Sequence, residues 1–510
     1  MASSFVHCTI HIGPRGADSG RYPVSVELKD GQRFAGRAEI EGLDIDAEAL
    51  RQAQWSASAA GCGAILSRAL FQRAAARGLD RAIAACEQGG HDGVRLRLCI
   101  DDDAPELHTL PWEQLTFDVA GVDQLLATDS RRPLSRYVKL ESSPPAPVAA
   151  RPVKLLFAVA NPIGLPASMH IDVDAEIESF MEMLAQVVEK LPDGALSVTI
   201  MPGRSELSWA VREVLSSRRG VEVREHVPTS IERLIDEIGR GAHIVHFLGH
   251  GHFEAGGDGR RATTTLLLED ADGARASVDD VTLVTRLRGL SHRPHLMCLH
   301  ACNSAERDGS DAVVGLAPRL LRAGVPAVLA QQDKLRMDDA RALTRHFYKC
   351  LFEHGVVDLA LNQARAQVFE STHLRWGVPV LYSQLRDGQL LAPMVGAPAK
   401  VPVDEPARAA PLPSLSQRQR DRLVDVLMNS PAMTNGAYRQ KIIHRLGREI
   451  YAHVEQSAML KLALSNLVDT CANRRGYVEA LIAEVRAADG EHDVVAELDA
   501  LLAEWRSQAG

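Results

Sequence analysis

Residues 242–253 read AHIVHFLGHGHF, and residues 295–305 read HLMCLHACNSA. Each opens as an apolar run of strand length and ends in small residues, the pattern of a strand buried on both faces of a parallel sheet. The first brings His250 and Gly251 to its carboxyl end, and the second brings Cys302. In open α/β sheets the reacting groups collect at the carboxyl ends of strands. A cysteine attacks as the thiolate and needs an imidazole beside it to take its proton. Glycine directly after the histidine lets a substrate approach the main chain, whose N–H groups can hold a developing oxyanion. Both conditions are met if the two strands are neighbours. His250 precedes Cys302 by 52 residues, and a histidine about 50 residues upstream is a recurring spacing for a cysteine nucleophile.

Working outward, residues 152–391 alternate strand and helix patterns. Strands are predicted at 154–160, 196–201, 243–248, 295–300, 327–331 and 379–382, with helices at 174–191, 312–323 and 338–352 among the connections. That order predicts an α/β fold, a largely parallel sheet flanked by helices. A mixed α/β half precedes it at 1–141, with strands at 23–28 and 94–100 and helical patterns at 47–54 and 64–88. Within that half, residues 110–115 (LPWEQL) set an aromatic beside a turn-forming proline. Proline-rich stretches at 142–152 (SSPPAPVAARP) and 392–413 read as linkers around a domain at 153–391. Residues 414–510 carry five helical stripes, at 415–428, 438–451, 459–468, 477–485 and 494–505, which predict a small all-α bundle.

Composition bounds the function. At 510 residues the prior is about three domains. Hydrophobic residues at 46% and charged residues at 24% exclude a mainly disordered chain. A net charge of −9 supplies no global field for gripping nucleic acid. No apolar run approaches the roughly 18 residues that span a bilayer, so no membrane partner is expected. The opening residues lack a basic stretch followed by an apolar one, so no secretion signal is expected either. The cysteines, Cys8, Cys62, Cys86, Cys99, Cys298, Cys302, Cys350 and Cys471, are scattered without framework spacing. That usage fits a reducing compartment, so the expected location is the cytoplasm. Apart from Cys302 they are expected in cores.

A metal reading competes for the same residues, because His243, His246, His250 and His252 form one cluster and His292, His295, Cys298, His300 and Cys302 another. Zinc accepts His and Cys at short spacings. Short ligand pairs sit on turns or helices rather than along a buried strand, so neither a metal nor another cofactor is expected. His246 is instead expected to support the site through a hydrogen bond, and His252 to be solvated.

HFLGHG and LHACNSA, with GLAPRLLRAGVPAVLA (315–330), HFYKCLFEHG (346–355) and WGVPVLY (376–382), resemble in order the CHAT family, bacterial caspase-like peptidases related to separase. LPWEQL resembles the family's preceding half. The resemblance implies a caspase-like sheet, His250 as general base and Cys302 as nucleophile, with the N–H groups of Gly251 and Cys302 lining the oxyanion hole. No QACRG-type motif stands at Cys302, so caspase specificity for Asp is not carried over. The strand after the nucleophile's helix would line the substrate pocket, which makes Gln331, Gln332 and Asp333 candidates. Asp308 and Asp311, in the loop after Cys302, are further ones. A buried Asp333 would favour a basic side chain.

The last segment resembles the effector-associated, death-like adaptor domains that accompany such peptidases. Residues 418–448 hold seven Lys/Arg against two Asp/Glu, and residues 479–504 hold eight Asp/Glu against one Arg. Sorted charge permits head-to-tail self-association, a heterologous contact. The expected function is therefore a cytosolic cysteine endopeptidase that cleaves a partner protein and is recruited or regulated through its helical domain. By family analogy it works in bacterial defence or cell death, with a gasdermin-like effector as one substrate. Two alternatives stand beside it, an idle scaffold that only binds proteins and a zinc hydrolase built on the His/Cys clusters.

Overall fold

The computed structural model describes residues 4–30, 33–37, 41–45, 59–119, 122–138, 145–189, 191–254, 263–302, 312–333, 335–369, 376–392, 416–435, 439, 442–443, 460–472, 477–489 and 492–507. The chain divides into two compact units, Met1–Pro398 and Ala399–Gly510.

In the first unit the strands in chain order are β1 (Phe5–Ile12), β2 (Tyr22–Asp30), β3 (Arg33–Arg37), β4 (Glu41–Leu43), β5 (Gly93–Ile100), β6 (Thr116–Val119), β7 (Val122–Leu125) and β8 (Leu134–Tyr137). They continue with β9 (Val153–Val159), β10 (Leu196–Met201), β11 (Val221–Val223), β12 (Ile244–Glu254), β13 (Thr263–Glu269), β14 (Arg275–Asp279), β15 (Leu296–Cys302), β16 (Ala327–Gln331) and β17 (Pro379–Ser383). One sheet runs β11-β10-β9-β12-β15-β16-β17-β8-β5-β1-β2-β3, with β13, β14 and β4 attached at its sides. β11 through β16 are parallel along this order.

Alternation along the central strands sorts the core onto two faces. Ile244 and Leu248 of β12 join Leu155, Phe157, Leu296 and Cys298 under the helices Val173–Val188 and Met337–His354. Val245 and Phe247 join Met297, Leu299 and Val328 under the helices Ile231–Gly239, Asp280–Arg288 and Ala312–Arg322. Strands buried on both faces have no polar side to show, which is why β12 and β15 read as nearly continuous apolar runs. Above them Glu269 of β13, 1% exposed, accepts the main-chain N–H groups of Asn161, Arg204 and Thr229 at 3.1, 3.0 and 2.9 Å. One buried carboxylate thereby fixes three strand-exit loops and has its own desolvation answered by hydrogen bonds.

Several expectations need correction. The proline-rich stretch 142–152 does not separate two bodies, because β17 pairs with β8 and the sheet continues into the amino-terminal half. Val148 of that stretch is itself a bridge partner of Leu391, and its N–H donates to Leu390 O at 2.9 Å. Buried polar groups close the same seam. Arg95 of β5 meets Asp358 at 2.7 Å, and Asn362 Nδ2 donates to the carbonyls of Leu126, Asp129 and Arg132. β17 runs antiparallel to β16, since two helices intervene and return the chain from the opposite edge. The helical pattern at 64–88 is two helices, Ala59–Leu70 and Arg73–Gly89. The chain bends between them, where Phe71 packs edge-on against Phe117 at 4.9 Å between centroids. The β13–β14 hairpin was missed, and the helical pattern at 47–54 lies outside the described residues.

The second unit contains helices Gln417–Leu427, Pro431–Thr434, Leu460–Ala472, Tyr477–Asp489 and Asp493–Ser507 around their own apolar core, which includes Leu464, Leu481, Leu498 and Trp505. Of the stripe at 438–451 only 439 and 442–443 are described, and they are helical. Some of its sorted charges meet within the bundle, as Arg422 with Glu504 at 2.9 Å and Arg420 with Asp469 at 3.2 Å.

Candidate active site

β12 and β15 are hydrogen-bonded neighbours, and their register runs from Ile244 opposite Leu296 to His250 opposite Cys302. The two residues that the sequence singled out are therefore direct register partners on one face of the sheet. His250 is 5% exposed and faces Leu267 of the β13 hairpin on its other side, while Gly251 is buried opposite Leu266. β9 stops pairing at Leu248, and β13 takes over beyond it, so the histidine stands where β12 outruns its parallel neighbour. Gly249, one step earlier, is tightly enclosed: a Cβ there would come within 2.7 Å of the Phe247 ring.

Below His250 lies a cavity of about 90 Å³ between the sheet and the helices Val173–Val188 and Met337–His354. Its floor is His246 and His300, whose rings stack with centroids 4.5 Å apart. Gln331 Nε2 donates to His300 Nδ1 at 3.0 Å, which leaves the imidazole proton on Nε2. Beneath, His246 Nδ1 stands 3.0 Å from Tyr348 Oη, which donates its own proton toward Cys298 Sγ at 3.6 Å. The tyrosine's single proton is thus used on the sulfur, and its oxygen accepts from His246. Burial lowers the His300 pKa to about 4, and burial followed by the His300 charge holds His246 well below its ordinary value. Both rings are neutral at pH 7. Burial also pushes the Cys298 thiol up to about 12, as befits a core cysteine.

The remaining sequence candidates divide. Gln331 lines the cavity. Gln332 is 8% exposed but points elsewhere: it donates to Glu113 Oε2 and Gly377 O and accepts from Arg136 Nη2 at 2.9 Å. Its amide serves the seam with the LPWEQL turn rather than a substrate. Asp333 is exposed, so the condition under which it would favour a basic side chain, burial, is not met. Asp308 and Asp311 lie outside the described residues. His252 is exposed as expected, whereas His246 bonds to Tyr348 rather than to His250 or Cys302.

The histidines of the metal reading lie at opposite sheet edges. His243, His292 and His295 line a cavity at the amino ends of the strands beside Arg151, Lys154 and Arg293, whose charges oppose a cation. Among the described residues, no group of three or more His, Cys, Asp and Glu could hold a metal ion. Sequence reasoning named His300 only in the metal reading, although it stands two residues before Cys302 and so shares its face. It missed the far wall, Phe180, Glu176 and Arg341, which only helix packing brings there.

The architecture is a largely parallel α/β sheet flanked by helices, with His250 of β12 and Cys302 of β15 in register on adjacent parallel strands. The CHAT domain family matches residues 64–421, and effector-associated domain 2 matches residues 424–503. The chain belongs to the CHAT family. Among solved structures it is similar to the Arg-specific cysteine proteinase gingipain R, at 14% identity and TM-score 0.34, covering 64% of this chain and 70% of that one. The complex of the Porphyromonas gingivalis RgpB pro- and mature domains matches at 11% identity and TM-score 0.36, covering 69% and 79%. The Saccharomyces cerevisiae separase–securin complex matches at 14% identity and TM-score 0.29, covering 57% of this chain and 15% of the other. No curated protein matches. Among the described residues no helix is long and apolar enough to cross a membrane.

Proposed function

We propose that the protein is a cysteine endopeptidase working through a His250–Cys302 dyad. The observation that carries this reading is the direct register pairing of the two residues on adjacent parallel strands. His250 takes the thiol proton, and the Cys302 thiolate attacks the carbonyl carbon of the scissile peptide bond. The C–N bond breaks as the imidazolium returns its proton to the departing amine. Water, deprotonated by the same imidazole, then releases the acyl group and restores the thiol. The N–H groups of Gly251 and Cys302 are assigned to the oxyanion. Its substrate in this reading is a partner protein, a gasdermin-like effector being the family precedent, cut in a bacterial defence or cell-death response in the cytoplasm. Residues 424–503, the effector-associated domain, recruit or regulate by binding a partner with a similar bundle.

The test compares wild type with Cys302→Ala against candidate partner proteins, read by mass spectrometry. New termini with wild type alone support the reading. Identical digests, together with equal labelling of both proteins by a thiol-directed peptide warhead, leave the idle scaffold instead.

A further inference from the structure

The cavity at the amino ends of the strands, of about 420 Å³, lies at the opposite ends of β12 and β15 from His250 and Cys302. That volume suits a small molecule. Lys154 is the second residue of β9, His243 precedes β12, and His292, Arg293 and His295 lie on the approach to β15. Because β9, β12 and β15 are parallel neighbours, their starts share one edge, and residues far apart in sequence meet there. Arg240 follows the helix Ile231–Gly239, and Arg151 comes from the chain entering β9. None of the residues lining this cavity is an Asp or a Glu.

The cations are held by groups that leave their charge in place. Lys154 Nζ donates to Arg240 O at 2.9 Å, and Arg293 Nη2 donates to Arg288 O at 2.9 Å. A carbonyl orients a cation without cancelling it, and among the described residues no carboxylate forms an ion pair with Lys154 or Arg293. Glu237 reaches Arg240 at 3.2 Å but also holds Arg224 at 3.0 Å. The field acts on His243, whose pKa is lowered to about 4, first by burial and then by cationic neighbours that include His295, Lys154 and Arg151. His243 Nδ1 accepts the Lys154 N–H at 2.9 Å, so the neutral ring keeps its proton on Nε2 as a donor. His295 Nδ1 is buried without a hydrogen-bond partner. Clustered like charge with no answer inside the protein is relieved by an anion.

We propose that this cavity binds a small phosphate-bearing anion of at least two charges, a pyrophosphate group alone or in a nucleotide, with Lys154 and Arg293 as its principal cations. Guanidinium and ammonium donors arriving from separate strand starts suit tetrahedral phosphate oxygens better than a planar carboxylate. The basic charge is local: Glu222 holds Arg224 at 2.8 Å beside the Glu237–Arg240 pair, and the whole chain carries −9, which repels an extended polyanion such as nucleic acid. Neither His250 nor Cys302 takes part, so the proposal stands apart from the peptidase reading.

The experiment titrates the full-length protein with sodium pyrophosphate, ATP and citrate in magnesium-free buffer, read by isothermal titration calorimetry. Pyrophosphate or ATP should bind at one site at least about 10-fold more tightly than citrate. Affinity should fall at least about 10-fold between about 50 and 500 mM NaCl, because exposed charges are screened by salt. Lys154→Gln and Arg293→Gln should each weaken binding about 10-fold, the scale of one hydrogen bond to a charged group. Arg77→Gln, which removes an exposed charge from the helix Arg73–Gly89, should change nothing, and Cys302→Ala should bind as wild type does. Tighter binding of ATP supports a nucleotide as the occupant, and equal affinities support the phosphate groups alone. Absence of binding, confirmed by an unmoved thermal midpoint at about 5 mM pyrophosphate, overturns the site. So does citrate binding as tightly as pyrophosphate, or an affinity that survives both Lys154→Gln and Arg293→Gln. Those failures leave the peptidase reading intact, since labelling of Cys302 tests it separately.

Discussion

His250 and Cys302 are Cα register partners on one rung of the parallel β12–β15 ladder. Nothing but the sheet is needed to bring them together: His295 N–H donates to His243 O at 2.7 Å, and seven residues on from each of these histidines the strands reach Cys302 and His250. In the proposed dyad these backbone hydrogen bonds supply the preorganisation.

The first prediction concerns which sulfur reacts. The Cys298 thiol is 1% exposed and its pKa is raised by burial to about 12, so almost none of it is thiolate at pH 7.5. Iodoacetamide mapped by peptide mass should therefore modify Cys302 well before Cys298. Cys298→Ala should keep full peptidase activity, and His250→Ala should lower kcat/KM on the order of 10³-fold, the usual scale of a general base. Activity that disappears with Cys298 and survives loss of Cys302 would refute the assignment.

The buried imidazole of His300 predicts acid sensitivity. Its folded pKa is about 4 against an ordinary 6.5, lowered by burial. Between those values the unfolded chain binds the proton that the folded chain refuses, so its contribution is whole above about pH 6.5 and is lost as pH falls toward 4. The size is about 3 kcal/mol at 1.36 kcal/mol per pH unit. His246, lowered further, acts in the same direction. The thermal midpoint should drop as pH falls from 7 to 4.5, and His300→Gln should flatten the slope over that window. A slope identical to wild type would show that His300 does not titrate as its burial requires.

Glu113 of the LPWEQL turn ties the amino-terminal half to the strand exit beside the cavity. Arg136 donates to Glu113 at 2.7 and 3.0 Å and to Gln332 at 2.9 Å, with both charged groups about 2% exposed. Arg136→Met leaves a carboxylate buried alone and should cost about 3–5 kcal/mol. Gln332→Ala should cost about 1–2 kcal/mol, and the two together less than their sum, because one network is removed once. Strict additivity in denaturant unfolding would mean that the three groups are not coupled.

How much of this was legible depended on the range of the interactions. β9, β12, β15 and β16 were readable because strands buried on both faces must be continuously apolar, and His250 and Cys302 followed from their ends. The pairing of β17 with β8, the seam at Val148 and the role of Gln332 were not readable, since each is decided by partners more than a hundred residues away: Arg136, Leu391 and Glu113. Val148 shows the limit well. Four prolines around it read as a linker, yet its main chain closes a bridge to residue 391. In the same way Asp333 looked chemical in sequence because it follows two glutamines at a strand exit, and only the fold distinguishes the glutamine that lines the pocket from the one that ties the seam.

The helical unit gives the last prediction. Leu464, Leu467, Leu481, Ile482, Leu498 and Trp505 are nearly or wholly buried, and they form a core whose members all come from residues 423–505. A fragment covering 414–510 should therefore fold alone and unfold in one urea transition followed by Trp505 fluorescence. Trp505→Phe would remove the signal, so the stability variant is Leu481→Ala, read by circular dichroism. Deleting this wholly buried leucine should cost about 2–5 kcal/mol. Arg422→Gln, which breaks an exposed pair with Glu504 at 2.9 Å, should cost under about 1 kcal/mol. A fragment that is unstructured, or one as sensitive to Arg422→Gln as to Leu481→Ala, would mean that the bundle is held by its charges rather than by its core.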